Sequence, residues 1–315
     1  MAPRVSAPVP AAFGCLPRFA GHLVRRPYRD RLPVATAHRS GSRLRDAVLT
    51  AAYDTLVGLV LRAYAELEGV RLPASAGGFA VRFNRLGCAF DDEVERGLLA
   101  DGGISWRCAL RGAEVVARLR DLQEYAVLHG HAGRVDRARE LMLAELDAGY
   151  ARYVALTLAT GPAAPVERVL SLAMLDTGGH LRCLATALGV VFTGSAPAEA
   201  TAGEFAAFGV LAKIVDDFRD IAADHRAGRA NLLLACLHEN PVELREFEAV
   251  AGRAEGLGPQ WWRRHCATAL GRYQDALAVT SSSITARPLR TAGELMAWTA
   301  WSRGRRARRW SASRM

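Results

Sequence analysis

Two acidic runs are the residues of this chain whose types and spacing could do chemistry. In the first, Phe90-Asp91-Asp92-Glu93-Val94-Glu95, a helix would set Asp91 and Glu95 one turn apart on one face, about 6 Å along the axis, with Asp92 beside them. Carboxylates crowded this closely repel one another. The run therefore belongs either at a solvated helix N-terminus, where it complements the dipole, or against a cation that neutralises it. In the second, AFGVLAKIVDDFRDIAADHRAGRANLL over 207–233, Asp216, Asp220 and Asp224 recur every four residues, with Lys213 and Asp217 on the same side. Leu211, Ile214, Val215, Phe218 and Ile221 fill the remainder. A solvated face gains by alternating sign at this spacing; here like charges line up along a helix apolar enough to sit centrally in a bundle. One reading is a surface stripe offset by Lys213, Arg219 and Arg226. The other is a row of half-buried carboxylates with a compensating hard cation such as Mg²⁺, since every candidate ligand is oxygen. The runs lie 125 residues apart, enough for several antiparallel helices to bring their faces together across one cavity. Mg²⁺ keeps several waters and is readily shared between one or two carboxylates and a phosphate, so two such faces would make a diphosphate clamp.

The elements that must position these faces are helices. Apolar residues at spacings of three and four start near Ala47 and recur at 110–128, 134–159, 165–176, 179–193, 203–226, 230–238, 242–254, 260–282 and 291–302, while strand-like alternation is nearly absent. Short Gly/Pro breaks such as GVRLPASAGG, ATGPAAP and TGSAPAEA separate them, and Asp176-Thr177-Gly178-Gly179 reads as a helix break. The expected fold is all-α, a single-domain antiparallel helical bundle around a central cavity over 47–301. A basic Pro/Arg-rich leader over 1–46, expected to be disordered, and a basic tail over 302–315 flank it. Half of the 315 residues are apolar, enough for a substantial core. The net charge of +9 is concentrated in the ends, +7 and +6, leaving the body at −4. A body of that sign does not track nucleic-acid phosphates. The basic ends could touch anionic membrane surfaces, although no apolar run is long enough to span one. Six cysteines without C-x-x-C or zinc spacing read as reduced thiols in a cytoplasm.

These residues resemble the class I isoprenoid synthases, the superfamily of terpene cyclases, polyprenyl diphosphate synthases and squalene/phytoene synthases. Asp91, Asp92 and Glu95 are similar to their D-D-x-x-D/E motif. Asp216, Asp220 and Asp224 have the spacing of the cyclases' metal triad. Asp216, Asp217 and Asp220 also read as the D-D-x-x-D of chain-elongating synthases, and RDIAADHRAGR resembles the R-D-x-x-x-D-x-x-x-G-R of head-to-head synthases. Chain-elongating enzymes resemble one another in a G-G-K-x-x-R-P segment and an Arg pair after the first motif, and here only Arg96-Gly97 follows it. NLLLACLHEN, at 231–240, resembles the segment that follows the cyclase triad.

The resemblance implies the class I terpenoid synthase fold and a terpene cyclase, with a prenyltransferase, head-to-head or chain-elongating, as the alternative. It implies three Mg²⁺ ions, replaceable by Mn²⁺, on Asp91, Asp92, Glu95, Asp216, Asp220 and Asp224, an allylic prenyl diphosphate as substrate, and a homodimer. The expected diphosphate donors are Lys213 first, then Arg219, Arg229 and Arg182, with Arg272-Tyr273 standing for a C-terminal Arg-Tyr cap. Phe83, Phe90, Phe205, Phe208, Trp298 and Trp301, with Gly178 and Gly179 at the helix break, are candidates for the cavity lining, the aromatics because their faces stabilise a carbocation without capturing it. A non-catalytic helical protein whose acidic faces bind cations or a partner is the competing class.

Overall fold

The structure, a computed structural model, describes residues 43–101, 105–252, 257 and 259–297. Most of the expected leader, the tail, Trp298 and Trp301 lie outside the described residues. Every regular element described is helical: α1 (Arg43–Glu68), α2 (Ser75–Asp101), α3 (Trp106–Ala109), α4 (Ala113–Leu128), α5 (Ala132–Ala159), α6 (Val166–Ala173), α7 (Gly179–Leu188), α8 (Glu199–Ala227), α9 (Leu232–His238), α10 (Pro241–Glu248), α11 (Pro259–His265) and α12 (Ala267–Ser283). Residues 287–297 are helical as well. No described helix is long and apolar enough to cross a membrane.

α8 is the central element. It is apolar on most of its circumference and packs against α1, α6, α7, α9 and α12, as expected of a helix surrounded by others. Its Phe205, Phe208 and Leu211 join a core built with Tyr64, Phe79 and Leu188. Further along, Val210, Ile214, Phe218 and Ile221 join a second core with Leu233, Phe247, Trp262 and Tyr273. A smaller cluster holds Val94, Trp106 and Tyr150, with Phe90 packed against it.

Three local readings need correction. The expected break at Asp176–Gly179 is instead a π-helical turn, Met174–Gly178, joining α6 to α7 in one rod. Gly178 (φ −60°, ψ −48°) and Gly179 (φ −61°, ψ −42°) keep right-handed helical backbone. Gly178 serves close packing: a Cβ on it would lie 3.2 Å from the Ala206 carbonyl oxygen, and one on Gly209 would lie 2.3 Å from the Thr177 carbonyl oxygen. α8 thus crosses the turn almost backbone to backbone. Secondly, Gly77 and Gly78 lie inside α2, because the Tyr125 hydroxyl of α4 fills the space beside Gly78 and donates to the Ser75 carbonyl at 2.9 Å. Thirdly, the 260–282 pattern divides at Cys266 (φ −137°, ψ 50°). There the buried Glu243 carboxylate of α10 accepts from the N–H groups of Thr268 and Ala269, both at 2.8 Å, and starts α12 afresh.

His180, on α7, stacks on Phe83 of α2 with ring centroids 5.5 Å apart. Burial holds its pKa down to about 4, below the roughly 6.5 of an unfolded histidine. Stability should therefore fall as pH drops from about 6.5 to 4, because only the unfolded chain takes up this proton. In denaturant titrations across that window, His180→Phe is expected to lose about 1–3 kcal/mol less than the parent chain. Gly209→Ala should destabilise by about 1–3 kcal/mol through overpacking. Gly179→Ala, whose Cβ meets nothing within 4 Å, should hold or slightly raise the thermal midpoint; thermal melts followed by circular dichroism compare the two.

Candidate active site

On α8 the four aspartates separate into two pairs with different duties. Asp217, 1% exposed, receives Lys213 Nζ at 2.9 Å on one oxygen and the Leu232 N–H at 2.7 Å on the other. Burial pushes its pKa up to about 6, against the opposing pull of Lys213 and that N–H. Gly228, left-handed at φ 64°, ends α8 and turns the chain back. Asn231 then donates to the Asp217 carbonyl and to Asp224 Oδ2, both at 2.8 Å, while its own carbonyl oxygen caps α9 at the N–H groups of Leu233 and Leu234. Asp217 and Asp224 therefore fix the α8–α9 elbow. Asp216 and Asp220 stay half-buried at the other edge of the same stripe, sharing Arg219: the guanidinium lies 2.6 Å from Asp216 Oδ1 and 3.0 Å from Asp220 Oδ1.

The first acidic run faces this side. Arg229, just past α8, reaches Glu95 of α2 at 3.1 Å. Asp91 keeps solvent contact, yet its pKa is pushed up to about 7, first by the protein packed around it and then by Asp176, Glu95 and Asp92 against the opposing charge of Lys213. Asp176, on the π-helical turn, is raised by burial and by Glu95 against Lys213 and Thr177. Asp216 is raised by burial and by Asp220 against Arg219 and Lys213. The Cys88 thiol, one turn before Asp92, is raised by burial and then by Asp91, Asp92 and Asp216 together. The Tyr153 hydroxyl of α5 is raised by burial and by Asp176, Asp91 and Glu95. Burial alone would lower the Lys213 pKa, but Asp217, Asp176 and Asp224 more than reverse it.

Other expected residues lie elsewhere. Arg182 makes two parallel bonds to Glu199, at 2.8 and 2.7 Å. Glu199 starts α8, about 25 Å along the helix axis from Asp216. Arg272 pairs with Glu239 in the turn after α9, and the buried Tyr273 hydroxyl donates to the Ile214 carbonyl at 2.6 Å, so the two brace α12 against α9 and α8. Phe83, Phe205 and Phe208 are buried in the first core, Phe90 packs toward Trp106 and Tyr150, and Gly178 packs against α8. Asp92 sits at the exposed edge of the site, its carbonyl accepting from Arg96. Asp176 and Tyr153 were not among the expected site residues. Asp176 was visible only as part of a break, and Tyr153 as one apolar-face residue of a long helix.

No family model and no curated protein matches the sequence. Among solved structures, the chain is similar to a polyprenyl synthase from Roseobacter denitrificans, 17% identical with a TM-score of 0.45, over 93% of this chain and 95% of that one. It is also similar to a decaprenyl diphosphate synthase from Rhodobacter capsulatus, at 16% and 0.45 over 94% and 98% of the two chains. A third likeness, at 16% and 0.42 over 94% and 96%, is to a polyprenyl synthase from Caulobacter crescentus CB15 complexed with calcium and isoprenyl diphosphate.

Among the described residues no three of His, Cys, Asp and Glu are grouped closely enough to cage a metal ion. The donor set nevertheless fits a hydrated hard cation: carboxylate oxygens from α2, the π-helical turn and α8, with raised pKa values that added positive charge would relieve. Such an ion takes one or two carboxylates from a wall and leaves the rest of its shell to water and phosphate.

The division of labour on α8 is measurable. Asp224→Ala and Asn231→Ala should each destabilise by about 1–3 kcal/mol, since each leaves a buried partner unsatisfied. Asp216→Asn and Asp220→Asn should stay within about 0.5 kcal/mol of the parent chain; urea unfolding midpoints test all four.

Proposed function

We propose that this chain is an enzyme acting on an allylic prenyl diphosphate whose head group is seated between α2 and α8. The observation that carries this reading is the ion pair from Arg229 to Glu95, 3.1 Å long, which ties two acidic runs into one site. An anionic diphosphate entering a wall of carboxylates needs intervening positive charge. Asp91, Glu95 and Asp176 on one side and Asp216 and Asp220 on the other would hold Mg²⁺, which when bound supplies Lewis acidity toward the departing diphosphate. Arg219 and Arg229 stand beside those carboxylates and donate to diphosphate oxygens as charge develops on them, an effect worth about 2.7–4 kcal/mol for one well-placed donor. Lys213, the first choice on sequence grounds, is committed to Asp217 and sets the positive potential of the site from within α8. Exclusion of water from the seated substrate would protect the allylic cation from capture as an alcohol.

Within this class a prenyltransferase and a cyclase both fit: Asp216 and Asp220 belong to the cyclase triad and to D-D-x-x-D alike, and each pattern gives its third member to the α8–α9 elbow, Asp224 to Asn231 and Asp217 to Lys213 and the Leu232 N–H. One observation favours the cyclase. Arg96, the only arginine directly after the first motif, bonds the Asp92 carbonyl at 3.1 Å and Glu93 at 2.8 Å, and marks no seat for a second diphosphate.

Incubation with geranyl, farnesyl and geranylgeranyl diphosphates, each with and without isopentenyl diphosphate, separates the readings. Longer diphosphates formed only with isopentenyl diphosphate mark chain elongation, and hydrocarbon or alcohol from one substrate marks a cyclase. Failure to consume any of them with Mg²⁺ present rejects the class. Asp91→Asn and Asp216→Asn should each reduce turnover about 100-fold or more without changing the helical circular dichroism spectrum.

A further inference from the structure

We infer that Arg219 and Arg229 are exchangeable counter-ions, which neutralise the site's carboxylates while it is free and transfer to phosphate oxygens when a cation and a diphosphate arrive together. The inference rests on the diphosphate reading above and adds an order of binding to it. Arg219 spans both site-facing carboxylates of α8. Its Nη2 lies 2.6 Å from Asp216 Oδ1 and donates to Asp220 Oδ2 at 3.2 Å, and its Nε donates to Asp220 Oδ1 at 3.0 Å. Arg229 holds Glu95 of the opposite wall at 3.1 Å. The same carboxylates thus serve as guanidinium partners in the free protein and as cation ligands in the loaded one.

Both arginines are exposed, so their long side chains are free to swing, whereas Lys213 is fixed on buried Asp217. A divalent ion that takes Asp216, Asp220 or Glu95 without a diphosphate must displace a guanidinium and leave it without a partner. A diphosphate supplies that partner, because the planar fork matches phosphate oxygens as well as it matches carboxylate. Cation and diphosphate therefore bind with positive coupling, each improving the affinity of the other. The metal does not take the arginine-held carboxylates first.

The test measures binding with the full chain and needs no turnover. Mn²⁺ affinity is read by electron paramagnetic resonance, alone and with inorganic pyrophosphate, correcting for the Mn²⁺–pyrophosphate complex in solution. In the parent chain, pyrophosphate should tighten Mn²⁺ binding about tenfold or more. In Arg219→Gln, Mn²⁺ alone should bind about two- to fivefold more tightly, since its carboxylates are released. Pyrophosphate at saturating Mn²⁺ should bind about tenfold more weakly in the same variant, and Arg219→Lys should recover part of that loss. Arg229→Gln provides the same crossed comparison from the other wall if Arg219→Gln does not fold. Loss or retention of both affinities together would overturn the exchange while leaving the diphosphate site intact. A parent chain that binds no pyrophosphate with Mn²⁺ would remove the site, and the exchange with it.

Discussion

Carboxylates along a helix that is otherwise apolar persist only when each has a defined partner, and that requirement organises this molecule around α8. An unpaired buried charge costs several kcal/mol, so the partners are structural necessities. Asp217 takes Lys213 and the first N–H of α9, and Asp224 takes Asn231. These bonds decide where the chain goes after Gly228, and thereby where Arg229 stands. The arginine that reaches across to α2 is placed by the solution to a burial problem on α8.

Once Asp217 and Asp224 are committed, Asp216 and Asp220 are left with one shared and exposed arginine. Asp91, Glu95 and Asp176 meet a single arginine and the field of Lys213. The site therefore carries more carboxylates than its permanent partners pair, and the pKa of Asp91 is raised by burial first and by Asp176 and Glu95 after it. A surface stripe would relax such repulsion into solvent. Held between packed helices it cannot relax in this way, which is why the proposed function gives it a cation that brings its own anion.

Much of this was legible in the sequence, and the boundary of legibility is physical. The acidic runs and the 3.6-residue periodicity are local properties, so α8, expected over 203–226, is found at Glu199–Ala227. Asp216 and Asp224 are equivalent on that periodic stripe; they differ because Asn231 returns over one of them, a contact made by the turn and not by the helix. The division at Cys266 depends on Glu243, and the continuity of α2 through Gly77-Gly78 on Tyr125, each supplied from a distant part of the chain. Arg182 and Arg272 were chosen by offset along the sequence. Their partners, Glu199 at the start of α8 and Glu239 in the turn after α9, draw them to different regions of the fold.

Asp176 shows how a feature read as an interruption becomes part of the site. α6 buries Val166, Val169 and Ala173 in the second core, whereas α7 buries Leu181, Leu184 and Leu188 in the first. A straight α-helix passing between them would keep one phase throughout. One additional residue in a turn rotates the following face by about 100°, so a π-helical turn lets a single rod serve both cores in succession. The change of phase falls at the seam between the cores, where α8 crosses closely over Gly178 and where Asp91 and Lys213 stand. A carboxylate on that turn meets the acidic wall without a loop to carry it, and the close packing that admits α8 also holds Asp176 among like charges.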